Sequence, residues 1–314
     1  MTALRIGTRG SPLALWQANH VAQRLAQIHG IETQLVRIRT SGDHLQSASV
    51  SQPAASADGK GIFIKELEDA LLACTVDLAV HSMKDVPTEI PAGLAFPAIL
   101  RREDVRDCLI SRDARIFDEL PRSARVGTGS LRRQAQLLHH RPDLQMVNVR
   151  GNVDTRLRKL AGGEFDAIVL AMAGLNRLGA ADKITQAFDA DFMLPAVGQG
   201  AIGIETRADD VPTSELVAAL DDSETRACIT AERALMQELQ GGCQVPLSAW
   251  ARLVSGELQI TAAVFSPDGR ESVRREDRGS PADAQAIGGR LGQSLIAAGA
   301  DKLLRLAGRS VGQP

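Results

Sequence analysis

The sequence predicts an α/β protein of two related lobes followed by a smaller α+β domain. Three observations predict it. Short apolar strands alternate with helical patterns over the first two thirds of the chain, the signature of mainly parallel sheets. An internal echo divides that region. Arg5-Ile6-Gly7-Thr8-Arg9-Gly10-Ser11 recurs, one residue shorter, as Arg125-Val126-Gly127-Thr128-Gly129-Ser130, and Asp77-Leu78-Ala79-Val80-His81-Ser82-Met83 is echoed by Asp166-Ala167-Ile168-Val169-Leu170-Ala171-Met172. From about Asp222 the alternation gives way to one long helix, a Gly-Gly break, two strands and a closing helix.

The first lobe opens with a strand over Leu4–Thr8 and a helix from about Ser11 to His29, with Leu15, Ala18, Ala22 and Leu25 on one face and Gly30 as its stop. A strand near 33–40 follows. Residues 41–60 are rich in Ser, Ala, Gly, Gln and Asp without apolar periodicity, a length at which loops are usually functional. A helix over about 62–74 leads to the strand Asp77–His81. The second lobe repeats the order, with strands near 125–128, 145–149 and 167–170 and helices over 131–140 and 153–161. Arg101-Arg102-Glu103-Asp104 reads as the hinge, and the Pro195, Gly198, Gly200 and Gly203 cluster as a return crossing. The expected domains are therefore 1–100, completed by 200–219; 105–197; and 222–314. The last holds a helix to Gln240, strands over 245–254 and 258–265, a turn at Pro267-Asp268-Gly269 and a helix over 281–298.

Composition narrows the function. The chain has 314 residues, enough for two or three domains at about 150 residues each. Aromatics are 3% and Tyr is absent, so the core is aliphatic and base stacking on single-stranded nucleic acid is disfavoured. Lys plus Arg number 36 against 38 for Asp plus Glu, so no chain-wide basic field exists for nucleic acid or an anionic membrane. No 18-residue apolar run and no leader-like start is seen, and Cys74, Cys108, Cys228 and Cys243 lack metal-site spacing. The expectation is a cytoplasmic protein with free thiols, no metal, no nucleic acid and no membrane partner.

Several motifs carry little. Gly198-Gln199-Gly200-Ala201-Ile202-Gly203 matches a dinucleotide pattern in letters, but a strand rather than a helix follows it. Gly59-Lys60-Gly61 lacks the remainder of a phosphate loop, and His139-His140 ends a helix, where cations complement the dipole. Cys74 and Cys228 fall in helical patterns and Cys108 in a strand, where burial as small hydrophobes explains them.

Other motifs carry more. Ser11 and Ser130 each end a strand-to-helix turn, where bare N–H groups favour an anion, although ordinary capping explains either alone. From Arg101 to Arg158 there are 13 Arg, no Lys and 8 acids, and Arg is the residue suited to bidentate carboxylate binding. Arg132, Arg133, Arg150 and Arg156 follow strands directly and are the candidate ligands among them, the others suiting a solvated surface. Lys84-Asp85 sits at a strand end, as a capping pair or as site chemistry. Cys243 follows Gly241-Gly242 in a loop, and spacing leaves it either packed or presented to a cleft.

Four motifs taken in order resemble the porphobilinogen deaminase family: His81-Ser82-Met83-Lys84-Asp85-Val86-Pro87-Thr88, Arg150-Gly151-Asn152-Val153-Asp154-Thr155-Arg156-Leu157, Leu194-Pro195-Ala196-Val197-Gly198-Gln199-Gly200 and Gly241-Gly242-Cys243-Gln244-Val245-Pro246. The similarity runs from about Arg5 to the final helix. It implies two lobes like type II periplasmic binding proteins around a cleft, with a third domain carrying the cofactor. It implies a dipyrromethane held by a thioether at Cys243, onto which four porphobilinogens are condensed with loss of ammonia before water releases hydroxymethylbilane.

The same resemblance assigns Asp85 as the buried carboxylate that stabilises the cation formed when ammonia leaves. It assigns cofactor or substrate carboxylates to Arg9, Ser11, Lys84, Ser130, Arg132, Arg133, Arg150 and Arg156, with Arg177 as an addition. Lys60 would close the loop and Phe63 stack on a ring. Each pyrrole brings two carboxylates, which an arginine-lined cleft neutralises. The chain departs from the family in its Ser/Ala-rich stretch over 46–58 and in Asp58, where a glycine is common, which bears on loop closure. The competing class is a non-catalytic binding module, which would need neither Asp85 nor Cys243.

Overall fold

In the computed structural model the described residues are 3–40, 64–239 and 245–310. They form two compact units, one of residues 1–103 with 201–226 and one of residues 104–200 with 227–314. Lys60, Phe63 and Cys243 lie outside the described residues.

The first unit is an α/β lobe. Strand β1 (Leu4–Thr8) runs into helix α1 (Pro12–His29), which Ser11 caps and Gly30 ends, and β2 (Thr33–Arg37) follows. Helix α2 (Lys65–Leu72) leads to β3 (Leu78–Ser82), a 3-10 turn over Met83–Asp85 and β4 (Leu94–Ile99). The lobe closes with β10 (Ile202–Arg207) and α6 (Val211–Ala218), giving the sheet order β2-β1-β3-β10-β4. β1 lies parallel to β2 and β3, whereas β10 runs antiparallel to β3 and β4. The buried stripe Ala18, Val21 and Leu25 of α1 packs on Ile6, Leu78, Val80 and Ile204.

The second unit begins with the same architecture. Its strands are β5 (Asp107–Ser111), β6 (Arg125–Gly127), β7 (Gln145–Val147), β8 (Ala167–Ala171) and β9 (Gln186–Ala187). Their order, β7-β6-β8-β5-β9, reproduces the first sheet, with β5 antiparallel in the place β10 takes there. Helices α3 (Leu131–His140), α4 (Val153–Ala161) and the short α5 (Met172–Arg177) connect them. Strand β8 is buried on both faces: Ala167 and Val169 join one core, Ile168 and Leu170 the other. That is why it reads as an unbroken apolar run rather than an alternating one.

The sequence echo has a structural counterpart. Asp77 accepts the Arg5 N–H at 2.7 Å and returns its own N–H to Arg5 O at 2.9 Å. Asp166 does the same with Arg125, at 2.8 and 2.9 Å. Each acid thus staples the echoed strand of its lobe, β1 or β6, to the strand it precedes.

The remainder of the second unit is the α+β part. Helix α7 (Ser223–Glu238) precedes the antiparallel sheet β11-β12-β13, with strands Leu247–Val254, Glu257–Phe265 and Ser272–Gly279. Helices α8 (Ala284–Ala297) and α9 (Ala300–Ser310) follow. Leu235 of α7, Ile260 and Val264 of β12 and Leu291 of α8 share one core. The opposite face of β12, through Ala263 and Phe265, packs on Ala135 and Leu194. The outer edge of β11 is occupied too: Ala249 N–H goes to Pro195 O and Ala251 N–H to Glu232, a fully buried carboxylate that also accepts Gly198 N–H at 2.7 Å. An edge whose donors are taken offers no template for a further strand.

Two expectations need correction. Cys74 is not a buried helical hydrophobe; it is exposed, just past the end of α2, with φ of 54°. His139 and His140 do more than complement a dipole, since His139 Nδ1 lies 2.7 Å from Gly269 O and the His140 ring stacks on Phe192 at 3.9 Å.

Candidate functional site

In a parallel sheet, strand C-terminal ends lie side by side, so the turns that follow them share one edge. In the first lobe this edge carries Arg9 and Ser11 after β1 and the Met83–Asp85 turn after β3. Ser11 Oγ accepts Ala14 N–H at 3.3 Å, Pro12 starts α1 and its first turn contains no acid, which leaves the positive end of the helix uncompensated. Gln17, buried in α1, donates to Ser82 Oγ at 2.9 Å and ties the helix to the end of β3.

The Met83–Asp85 turn is built to display its middle. Met83 and Val86 are buried on either side, Met83 N–H donates to Ala201 O at 3.0 Å, and Lys84 is half-buried. Met83 has room because position 203 is glycine: a Cβ there would stand 2.3 Å from its sulfur and 2.9 Å from the Phe96 ring. Asp85 is exposed, so the expectation of a buried carboxylate is corrected: two buried neighbours hold the backbone while the acid faces out. Beneath the turn His81 Nε2 lies 3.0 Å from Glu205 Oε2, both side chains buried, a pair the sequence reading missed.

In the second lobe the matching edge carries Ser130 with Arg132 and Arg133, then Arg150 and Arg156, then Arg177. Ser130 Oγ accepts Arg133 N–H at 3.4 Å, and the first turn of α3 again has no acid. Arg150 is exposed, and half-buried Arg156 donates through Nε to Gly151 O at 2.8 Å. Arg177 is buried and donates to Gly200 O at 2.6 Å.

Arg132 and Arg133, expected to meet ligand carboxylates, are held by a carboxylate of the protein. Asp107 is fully buried, with Oδ2 at 2.7 Å from Arg132 Nη2 and Oδ1 at 2.7 Å from Arg133 Nη2. Arg132 also donates to Leu194 O at 2.6 Å and Arg133 to Val169 O at 3.1 Å, while Gln199 Nε2 donates to Asp107 Oδ1 at 2.9 Å. The signal available in sequence was an acid opening the apolar run Cys108-Leu109-Ile110 inside an arginine-rich stretch.

Burial pushes the Asp107 carboxyl up, but the two guanidinium groups outweigh it and bring it to about 2. Asp77, where hydrogen bonds from Arg5 outweigh burial, and Asp166, which accepts the Arg125 N–H, are also held below the usual range. A carboxylate lowered by folding contributes stability that is complete above its unfolded value and is lost as pH falls toward its folded one. Resistance to urea unfolding should therefore weaken between about pH 4 and pH 2, with Asp107 alone responsible for about 2 kcal/mol. Equal midpoints at both ends of that window would contradict this.

The thiols separate as well. Cys108 and Cys228 are buried, and burial pushes the Cys108 thiol up to about 12, which leaves it protonated and unreactive. Among the described residues no three His, Cys, Asp or Glu side chains group to hold a metal, and no helix is long and apolar enough to cross a membrane.

Comparison with known proteins gives the lineage. Residues 4–215 match the model of the porphobilinogen deaminase dipyrromethane cofactor binding domain, and residues 226–297 that of the porphobilinogen deaminase C-terminal domain. The chain belongs to the porphobilinogen deaminase family. It is 50% identical over 302 residues to the porphobilinogen deaminase of Trichlorobacter lovleyi, covering 96% of this chain and 95% of that one. It is 49% identical over 304 residues to that of Syntrophotalea carbinolica, with the same coverage. Among solved structures it is similar to the methionine binding protein MetQ, with TM-score 0.44, 13% identity, 69% of this chain and 89% of that one covered. As a porphobilinogen deaminase family member it is an enzyme, a transferase of porphyrin biosynthesis that uses a dipyrromethane cofactor.

The residues present fit such a group. A dipyrromethane carries carboxylates on its rim and pyrrole N–H donors within. The strand-end edge of the first lobe supplies hydroxyl, ammonium and guanidinium donors beside a helix start free of acid, with one displayed acceptor, Asp85; that of the second lobe supplies hydroxyl and guanidinium donors at a helix start equally free of acid.

Proposed function

We propose that this protein makes hydroxymethylbilane by adding four porphobilinogens, head to tail, to a dipyrromethane held through the Cys243 sulfur. We divide it accordingly into 1–100 with 200–219, 105–197 and the cofactor-bearing 222–314, and read it as a cytoplasmic monomer. The observation that carries the reading is Asp85, an acid displayed on a rigid turn at a sheet edge whose other candidate groups are donors. The bound dipyrromethane supplies a primer with a free pyrrole α-carbon.

At each addition the aminomethyl C–N bond of porphobilinogen breaks and ammonia leaves. The primer's α-carbon would take the new C–C bond and give up its proton, which balances the step. Asp85 accepts the pyrrole N–H of the incoming ring and stabilises the positive charge that spreads onto that nitrogen as ammonia departs. Arg9, Ser11, Lys84, Ser130, Arg150 and Arg156 receive carboxylates, which fixes ring position and neutralises the two charges each ring adds. Arg132, Arg133 and Arg177 take part from buried positions, and Lys60 and Phe63 are candidate contacts outside the described residues. Water ends the sequence.

The stoichiometry tests this. Purified protein given porphobilinogen should release four ammonia for each linear tetrapyrrole formed. Intact porphobilinogen after incubation with natively folded protein would overturn the reading.

A further inference from the structure

Asp107 is a single carboxylate gripping two guanidinium groups, and all three side chains are at least nine-tenths buried. The group therefore carries a net charge of +1. Burying an uncompensated charge is costly, and a purely structural pair of one acid and one base avoids that cost. Surplus donors accompany the surplus charge: Arg132 Nε is buried without an acceptor among the described residues, and Gln199 brings an amide N–H to the cluster rather than a second acid.

The location matches. Asp107 pairs with Ala171 at the C-terminal end of β8, and Arg132 and Arg133 occupy the first turn of α3, where Ser130 caps and no acid sits. The helix start and the buried cation thus act with the same sign on one edge of the sheet.

We propose that Asp107 is a positioning residue for ligand binding: by gripping Arg132 and Arg133 together it fixes a net positive charge at the start of α3, where a ligand carboxylate is received. The proposal rests on the reading of that edge as a carboxylate site. Asp107 itself touches no ligand. It holds the two arginines on one carboxylate, so that their common charge, beyond what the acid cancels, is available to an anion.

Asp107→Glu keeps the charge but moves the carboxylate outward by one methylene, so neither guanidinium can stay in place. The expected result is a porphobilinogen KM raised about tenfold with kcat within about threefold, the pattern of lost ground-state binding. A smaller fraction of the protein should carry the dipyrromethane adduct by intact mass. A merely structural acid would move the melting temperature and leave both readouts unchanged. If Asp107→Glu does not fold, Asp107→Asn with Arg133→Gln replaces the ion triad by amides around Arg132 and retains the net charge of +1. That folded double variant should still show the raised KM, because the arrangement is lost while the charge is kept. Wild-type KM and adduct fraction in whichever variant folds would overturn the proposal. Wild-type protein without adduct or turnover would overturn the underlying reading instead, so the two failures are distinguishable.

Discussion

Cys243→Ser is expected to fold normally, to carry no dipyrromethane and to lose turnover below detection, a loss of more than about a thousandfold. Sulfur is the reason. A thiol supplies several per cent of thiolate near neutral pH and is intrinsically far more nucleophilic than a serine hydroxyl. Without the covalent primer the first condensation has no carbon to build on. No other cysteine is placed to substitute: Cys108 and Cys228 are buried, and Cys74 lies between α2 and the start of β3, at the opposite end of that strand from the Met83–Asp85 turn. Cys74→Ala should accordingly keep the adduct and full activity. Turnover by Cys243→Ser at even a few per cent of wild type would show that the primer is held elsewhere.

Asp85→Asn should leave stability unchanged and lower kcat by about a hundred- to a thousandfold, the loss found when one preorganised electrostatic partner of a transition state is removed. Stability survives because the carboxylate is exposed, while the turn is held by buried Met83 and Val86 and by the Met83 N–H bond to Ala201 O. The amide keeps an oxygen that can accept a pyrrole N–H. It lacks the charge that opposes the developing cation, so the loss should fall on kcat more than on KM. Adduct measurements on the same sample separate defective turnover from defective loading. A kcat near wild type would remove Asp85 from the chemistry.

The elements that chain periodicity and capping dictate were legible in the sequence. Ser11, Pro12 and Gly30 bracket α1, and α3 and α4 fall at 131–140 and 153–161 as expected. What escaped depends on partners distant in sequence. Strand β13 reads Ser-Val-Arg-Arg-Glu-Asp-Arg-Gly, too charged to suggest a strand, and it exists because it is a solvated edge paired residue by residue with β12. The strand over 33–40 stops at Arg37, and the helix over 62–74 spans only Lys65–Leu72 in the described residues.

The site divides in the same way. Ser11, Asp85 and Ser130 stand at strand-end turns, because a turn motif carries its own geometry. The surroundings of Arg132 and Arg133 were not legible, since Asp107 lies 25 residues away and reaches them only through antiparallel pairing of β5 with β8. The exposure of Asp85 was missed for a related reason: burial belongs to its neighbours Met83 and Val86 rather than to the acid.

Denaturing mass spectrometry of the purified 314-residue chain tests the central claim most directly. The account predicts a mass above that of the polypeptide by one dipyrromethane, with the excess on the peptide that contains Cys243 and absent from Cys243→Ser. A wild-type chain that weighs only its amino acids, after expression with ample porphobilinogen, would contradict it.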